Sequence, residues 1–195
     1  MKKLASFLLI ASLVIAVASG QSSNKETRNV KGFTKINFGI AGDLEIKIGP
    51  EFSVVLEGDK DDLEEIVTEL SGEKLIVKQE NWRFNFDNKV SVYITLPNLT
   101  GLGVSGSGKA EILDPINDAD NLSLNVSGSG KILTAGLVTD NFSCNISGSG
   151  NIIIGSGGNA DKGDISISGS GSYTGEAFEI DHLDVGVSGS GNCLC

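Results

Sequence analysis

The chain has few of the residues that build metal centres, redox sites and disulfide frameworks. Its 195 residues include one histidine, one tryptophan and three cysteines. A disulfide-stapled exported protein is expected to carry a denser, even-numbered set of cysteines. Cys144, Cys193 and Cys195 are three and unevenly spaced, so no such framework is predicted. Cys193-Leu194-Cys195 lacks the third ligand of a metal site and the two-residue spacer of a redox motif, so we interpret both thiols as ordinary strand residues.

Positive charge is also scarce. Lysine and arginine total 15 against 25 acidic residues, which gives a net charge of −10. An acidic surface repels phosphate backbones, so a nucleic acid is not expected as a partner. The glycine-rich stretches lack the helix and the Lys-Ser/Thr that a phosphate loop requires, so no cofactor is predicted. The single histidine, His182, is interpreted as an exposed turn residue rather than a general base.

Long apolar runs are absent except at the start of the chain. Met1-Lys2-Lys3 precedes an apolar run over 4–18, and small residues follow up to Gln21. The run is shorter than the roughly 20 residues of a membrane-spanning helix, and the pattern is typical of a cleaved secretory signal. Residues 1–20 are therefore predicted to be a signal peptide, and 21–195 a single exported domain without a membrane span. The final location is expected to be periplasmic, cell-surface or secreted.

What the chain has in abundance is a repeated phrase of glycine and serine. Copies of V/I-S-G-S-G begin at Val104, Val126, Ile146, Ile167 and Val187, which are 22, 20, 21 and 20 residues apart. A period in this range indicates a solenoid whose units stack because none can bury its apolar side alone. Each copy is preceded by alternating apolar residues, which predict strands rather than helices. The repeats therefore predict an all-β fold, a parallel β-helix with about 20–22 residues per coil.

The glycines mark the corners of these coils. Glycine accepts positive φ and has no Cβ to collide with the neighbouring coil. Aligning the copies predicts stacked core columns through Leu124 and Ile132, and a column of corner serines whose hydroxyls bond one another or the backbone. The predicted structural corner turns are Gly106, Ser107, Gly108, Gly128, Ser129, Gly130, Gly148, Ser149, Gly150, Gly169, Ser170, Gly171, Gly189, Ser190 and Gly191.

The region 30–97 is predicted to form degenerate coils or a cap ahead of the regular coils of 98–195. Alternating apolar residues indicate strands around Phe38, Ile46, Val54 and Val92, and the spacing over 61–70 indicates a short helix with a solvated acidic face. A cap is needed because an open end would expose unpaired strand edges. The chain stops in mid-coil at Cys195, so either another subunit covers that end or the gene product is incomplete.

These residues together resemble a known bacterial family, the putative auto-transporter adhesin, head GIN domain. The resemblance rests on the alternating segment 33–48, on 57–70 and 75–77, on the stretch 90–99 with its Tyr-Ile-Thr-Leu-Pro-Asn-Leu, and on the SGSG corners. It covers nearly all of the chain after the signal. It implies a right-handed parallel β-helix, no catalytic residues, and a suspected role in cell adhesion. The chain departs from the family by ending before further coils and a tyrosine-rich finish.

Three functions follow as hypotheses. The favoured one is an exported, non-catalytic β-helix that binds an unknown surface ligand, a protein or a glycan, as a monomer or a homo-oligomer. The alternative is a polysaccharide-active enzyme of the pectate-lyase-like type, which needs carboxylates or a metal-bound base on neighbouring coils. A third, ice binding, is disfavoured because the ladders are serine and glycine rather than threonine. The columns inspected for catalytic groups are Lys109, Lys131, Asn151, Ser172 and Asn192, which has no carboxylate, and Asp114, Asp140, Asp161 and Asp181, interpreted as turn residues.

Overall fold

The computed structural model describes residues 23–80 and 90–195, and these form a parallel β-helix. This confirms the predicted all-β solenoid. The predicted signal peptide, residues 1–20, lies outside the described residues. Within the described ranges, no helix has the length and apolar character needed to cross a membrane.

The described residues form seventeen strands and one short helix. The helix, α1, spans Lys60–Glu64 between the fourth and fifth strands. The strands are β1 (Asn24–Thr27), β2 (Lys35–Gly39), β3 (Asp43–Ile48), β4 (Ser53–Gly58), β5 (Ile66–Ser71), β6 (Lys74–Gln79), β7 (Ser91–Leu96), β8 (Gly101–Gly106), β9 (Lys109–Ile112), β10 (Ile116–Gly128), β11 (Lys131–Thr134), β12 (Leu137–Gly148), β13 (Asn151–Ile154), β14 (Gly158–Gly169), β15 (Ser172–Thr174), β16 (Phe178–Gly189) and β17 (Asn192–Leu194).

Each regular coil contributes one long strand to an eight-stranded sheet and one short strand to a nine-stranded sheet. The first has the order β16-β14-β12-β10-β8-β2-β6-β5 and the second β1-β4-β7-β3-β9-β11-β13-β15-β17. Strands β10, β12, β14 and β16 pair in parallel, and so do β9, β11, β13, β15 and β17. The registers confirm the predicted columns, because Leu124 pairs with Leu102 and Cys144, and Ile132 with Ala110 and Ile152.

Alternate residues of most strands point into one continuous apolar core. On β12, Phe142, Cys144 and Ile146 are buried. The Phe142 ring packs edge-on against Phe178 with their centroids 5.3 Å apart. Gly163 is the neighbour of Phe142 on β14, so a large residue and a residue without a side chain share one column. Such alternation lets side chains of neighbouring coils interdigitate at interior density.

The order of coils along the axis differs from their order in the chain. Strand β2 lies between β6 and β8, and β3 lies between β7 and β9. Along the sequence, the β2–β3 coil comes first. The next coil, β6–β7, lies on one side of it, and the following coil, β8–β9, lies on its other side. The predicted corner between β2 and β3 is present, because these strands pair with β8 and β9 on either side of the first SGSG turn.

The N-terminal end carries an antiparallel cap. Strand β4 pairs antiparallel with β7, β1 pairs antiparallel with β4, and β5 pairs antiparallel with β6. The edge strand β1 presents polar side chains, with Lys25 bound to Glu57 at 3.2 Å. Polar edges of this kind resist pairing with other chains.

The helix predicted over 61–70 is only partly correct. Helix α1 ends at Glu64, and the second half of that segment is strand β5. Leu63 and Ile66 are buried at the spacing expected of a helix, but pairing with β6 makes the chain extended from Ile66 onward. Tertiary pairing here prevails over local spacing.

The SGSG segments lie where the eight-stranded sheet passes to the nine-stranded one. The first glycine of each segment has positive φ, from 105° at Gly106 to 123° at Gly169. The backbone N–H of the middle serine donates to the first glycine of the preceding coil, for example from Ser129 to the Gly106 oxygen at 2.9 Å. The serine side chains point into solvent. The contacts between corners are thus made by the backbone.

Candidate functional site

A long groove runs parallel to the helix axis on the outer face of the eight-stranded sheet. We call it the axial groove; it has a volume of about 810 Å³. It follows the point on the long strands where two successive residues, such as Asp140 and Asn141, are both exposed, which we call the bend, and it continues toward the cap past β8 and β2. Its lining residues are Thr34, Lys35, Glu73, Thr100, Asn121, Leu122, Ser123, Asn141, Phe142, Ser143, Lys162, Gly163, Asp164, His182 and Asp184.

Two polar columns form the sides of the groove. Asn121, Asn141, Lys162 and His182 are register partners on successive strands, and two residues further along stand Ser123, Ser143, Asp164 and Asp184. The residues between the columns face inward and form the floor. Neighbouring strands of a sheet lie about 4.8 Å apart, so the groove repeats its polar groups at that interval.

The bend also aligns an aspartate from each of four coils, but the set differs from the predicted one. Asp120 is aligned with Asp140 because Ala119 pairs with Thr139 and Asn121 with Asn141. Asp114, predicted to belong here, lies at a different corner, where its Oδ2 accepts a hydrogen bond from the Ile48 N–H at 3.0 Å. The column on the bend is therefore Asp120, Asp140, Asp161 and Asp181, all exposed.

Hydrogen bonds orient the polar side chains of the groove. The amide nitrogen of Asn125 donates to Ser123 Oγ at 2.9 Å, and that of Asn145 donates to Ser143 Oγ at 3.3 Å. Asn145 also donates to Asn125 Oδ1 at 3.1 Å, which links the two coils. A hydroxyl that accepts such a bond keeps its own hydrogen for another acceptor. The two serine hydroxyls are therefore set to donate.

The amide of Asn141 is oriented as well. Its nitrogen donates to the Asp120 backbone oxygen at 3.1 Å, across to the neighbouring coil. The Oδ1 atom of the same amide is then left as an acceptor. Toward the cap, the Thr100 hydroxyl lies 3.2 Å from Thr34 Oγ1 and 3.3 Å from the Thr34 carbonyl oxygen, so the ladder of hydroxyls continues.

Charged groups occupy the two ends of the groove. Lys35 and Glu73 lie near the cap, and Lys162, Asp164, His182 and Asp184 lie on the last two coils. His182 belongs to strand β16 and lines the groove, so its prediction as a turn residue was wrong in placement, although it is exposed as expected.

The charged end does not have the features of a catalytic centre. Asp164 and Asp184 are register neighbours, but both are exposed, as are Lys162 and His182. General acids and bases are usually tuned by burial and close partners. Throughout the residues that the structure covers, no group of three or more His, Cys, Asp or Glu side chains is placed to hold a metal ion.

The column from Lys109 to Asn192 lies on the nine-stranded sheet, away from the groove. Its register is as predicted, but it continues to Asp43 of β3, so it does contain a carboxylate. The Glu111 carboxylate accepts a hydrogen bond from Lys109 Nζ at 2.8 Å and, together with the charges of Asp43 and Glu45, raises the pKa of Lys109. Lys109 is thereby held in its charged form, which is unsuited to act as a base.

The three thiols have different surroundings. Cys144 is buried in the core, and burial raises the pKa of its thiol. Burial and a hydrogen bond with Cys195 raise the pKa of Cys193 to about 12. The Sγ atoms of Cys193 and Cys195 lie 3.1 Å apart, and Cys195 is exposed.

The axial groove could not be recognised from the strand pattern of one coil, because its residues form columns only when the outward-facing positions of successive coils are aligned. The available signal was the pair of polar positions that flank Leu122 and Phe142 in successive copies, Asn-x-Ser in both cases. Repeating an amide and a hydroxyl at these positions is not needed for packing, since both point outward. What the sequence could not show was that the strands bend just before these positions, at the aspartate column.

Comparisons with known proteins agree with this architecture. A putative adhesin from Parabacteroides distasonis is 21% identical, with a TM-score of 0.65, over 88% of this chain and 81% of that one. A putative lipid binding protein from the same organism is 16% identical, with a TM-score of 0.62, over 89% and 96% of the two chains. A putative adhesin from Parabacteroides merdae is 17% identical, with a TM-score of 0.60, over 89% and 95%.

At these identities the three solved structures establish the fold alone. No curated protein sequence matches the chain. The model of one family, by contrast, matches residues 32–194, which include all the regular coils and most of the cap. The chain therefore belongs to the family described as putative auto-transporter adhesin, head GIN domain.

Proposed function

We propose that this protein is an exported, non-catalytic adhesin module that binds a surface ligand through the outer face of its eight-stranded sheet. The observation that carries the proposal is the axial groove, about 810 Å³ in volume and lined by oriented hydroxyl and amide groups. Ligand sites are usually concave and carry a few well-placed polar groups. Membership of an adhesin family supports the same role.

The polar lining favours binding over catalysis. The titratable residues of the groove are exposed and lie at its two ends, whereas its central part is made of serine and asparagine. Amides and hydroxyls form hydrogen bonds with a ligand but do not ionise near neutral pH, so by themselves they are poor general acids and bases. One protein of the same fold is a putative lipid binding protein, but the groove of this chain is too open to enclose an acyl chain.

The binding role is tested with residues 21–195 presented to intact epithelial and bacterial cells and to arrays of glycans and extracellular proteins. We expect saturable binding that competes with the soluble protein, and no release of reducing ends from polysaccharides. Heat-denatured protein serves as the control. Release of sugar products would show an enzyme, and the absence of saturable binding to every surface would contradict the proposal.

Export rests on the N-terminal sequence, in which an apolar run over 4–18 follows Lys2 and Lys3. Expression of the full chain in a bacterium should give a mature N-terminus at Ser19 or Gln21, measured by mass spectrometry of the protein outside the inner membrane. Leu9→Arg, which interrupts the apolar run, should leave the uncleaved protein in the cytoplasm. An intact Met1 on exported protein would contradict the prediction.

A further inference from the structure

We propose that the axial groove binds a neutral oligosaccharide whose chain runs parallel to the helix axis, with one sugar ring to each interval between neighbouring coils. This inference rests on the proposed binding function and names its ligand class. It follows from the direction of the groove, from the polar groups that it presents, and from its charge.

The direction of the groove excludes a peptide bound as an added strand. The groove crosses the strands of the sheet at right angles, and β12 and β14 are paired with neighbouring strands on both sides, as is β10 from Ser123 to Gly128. Recognition of an extended peptide by strand addition needs a free sheet edge. Along β12, β14 and the second half of β10, the groove therefore offers a ligand only side-chain groups.

The side-chain groups complement sugar hydroxyls. On each of two central coils the Ser123 and Ser143 hydroxyls are fixed as donors, because Asn125 and Asn145 already donate to their oxygens. Across the floor, Asn141 keeps its Oδ1 as an acceptor. A sugar hydroxyl both donates and accepts, so it can satisfy a donor on one side and an acceptor on the other. A peptide group, with one donor and one acceptor at fixed directions, cannot do so at every coil.

The length of the groove fits a polymer. Its lining residues belong to or directly precede seven neighbouring strands, from β6 to β16. Six spacings of about 4.8 Å give a length of about 29 Å. One ring of an extended sugar chain has a length comparable with this spacing, so about six rings would be accommodated in register with the coils.

The charge of the groove selects a neutral chain. The lining residues include three carboxylates, those of Glu73, Asp164 and Asp184, and only two lysines, Lys35 and Lys162. The whole chain has a net charge of −10. A polyuronate or a sulfated glycan would be repelled by this surface. The central coils contain no charged group among the lining residues, so a neutral sugar there loses no ion pair.

The test is calorimetric titration of residues 21–195 with neutral oligosaccharides of two to eight rings, drawn from β-1,4-glucans, β-1,3-glucans, mannans and galactans. Oligouronates, heparin fragments and extended peptides are titrated in parallel. We expect at least one neutral series to bind, with an affinity that rises with length up to about six rings and then levels off. The charged glycans and the peptides should not compete.

A matched pair of variants locates the site. Ser123→Ala with Ser143→Ala removes the two oriented donors and should weaken binding at least tenfold. Ser127→Ala with Ser147→Ala removes the hydroxyls four positions further along the same strands, outside the groove, and should leave the affinity unchanged. Asn125→Ala with Asn145→Ala leaves the serines in place but unoriented, and should give an intermediate loss. Circular dichroism and thermal melting check that all variants remain folded.

The outcomes separate this inference from the proposed function. Saturable binding to cells without binding to any neutral series, or competition by peptides or charged glycans, overturns the glycan assignment and leaves the adhesin role standing. Equal losses in the two serine pairs would place the site elsewhere on the sheet. If the wild-type protein binds neither cells nor any neutral oligosaccharide, both the adhesin role and the glycan assignment are overturned.

Discussion

A methyl group added to Gly169 would come within 2.4 Å of the carbonyl oxygen of Gly148, its neighbour on the preceding coil. Gly169 also has a φ of 123°, a conformation that residues with a side chain rarely adopt. Glycine is thus required at this position for two reasons: the positive φ, and the lack of space for a Cβ beside the neighbouring coil. Gly106 has a similar φ of 105°, but nothing in the described structure lies within 4 Å of an added Cβ there.

This difference predicts unequal costs for the same substitution. Gly106→Ala should lower the free energy of unfolding by about 1–3 kcal/mol, because it adds backbone strain alone. Gly169→Ala should cost more than about 4 kcal/mol, because the backbone of the neighbouring coil must also move. Denaturant unfolding of the two variants measures both. Equal costs would mean that the contact between coils carries no energy.

The buried hydroxyl of Tyr173 predicts a stabilising substitution. Tyr173 is 1% exposed, and its hydroxyl has no hydrogen-bond partner within the described structure. Tyr173→Phe removes an unsatisfied polar group while keeping the ring that packs near Phe142, so stability at pH 7 should rise by about 1 kcal/mol. Tyr93→Phe, at the half-buried tyrosine of β7, is the control and should not be stabilising. A lower melting temperature for Tyr173→Phe would contradict the interpretation.

The same group predicts a loss of stability at alkaline pH. Burial raises the pKa of Tyr173 above its usual value near 10, so the unfolded chain loses this proton at a lower pH than the folded one. The contribution of Tyr173 to the free energy of unfolding is therefore constant below about pH 10. Above that pH it falls by up to about 1.4 kcal/mol per pH unit. Tyr173→Phe should flatten this decline in unfolding measured from pH 8 to 11. Parallel curves for the two proteins would show that the hydroxyl is not protected in the fold.

The surroundings of the three cysteines predict an order of alkylation. At pH 8 iodoacetamide should modify the exposed Cys195 first. Cys193 should react more slowly because its pKa is raised to about 12, and Cys144 only when the chain unfolds. Peptide mass spectrometry over time, with and without denaturant, gives the order. Rapid alkylation of Cys144 in the native protein would show that the core opens around β12.

The last coil predicts self-association of the purified chain. Among the described strands, β16 and β17 each pair on one side only, and Val185 and Val187, which belong to core columns, are 47% and 45% exposed. Unpaired edges and exposed apolar groups favour contact with another copy. Sedimentation velocity of residues 21–195 should show a concentration-dependent increase in mass, and Val187→Glu should suppress it.

A second substitution identifies which ends meet. Leu70, at the edge of β5 at the opposite end, is 48% exposed. If two C-terminal ends meet, Leu70→Glu should have no effect. Suppression by both substitutions would indicate head-to-tail contact, and suppression by neither would rule out association through the last coil.

The regular coils could be predicted because each of them repeats the same pattern of strand and corner residues, so the copies support one another. Five copies of the corner placed Leu124 and Ile132 in their columns, and the pairing registers agree. The cap was harder, since each of its strands occurs once. Local spacing predicted a helix through Leu70, whereas antiparallel pairing with β6 makes that residue part of a strand.

The candidate site was predicted less well than the fold. Its polar residues were visible, but a strand pattern does not say where a twelve-residue strand bends. Rough coil spacing put Asp114 in the aspartate column, but Asp140, Asp161 and Asp181 each lie six residues before their copy of the repeat, and the residue six before Val126 is Asp120. His182 was assigned to a turn because the bend had not been located.

The sequence by itself determined the period, the inward and outward faces of each strand, and the corners, because these depend on residues within one coil and its copies. The tertiary structure alone decided that the β6–β7 coil lies beyond β2–β3, that antiparallel strands close one end, and that two polar columns enclose a groove. Those features depend on which strand finds which partner and on the path of the backbone between them. Neither is encoded in the spacing of apolar residues along the chain.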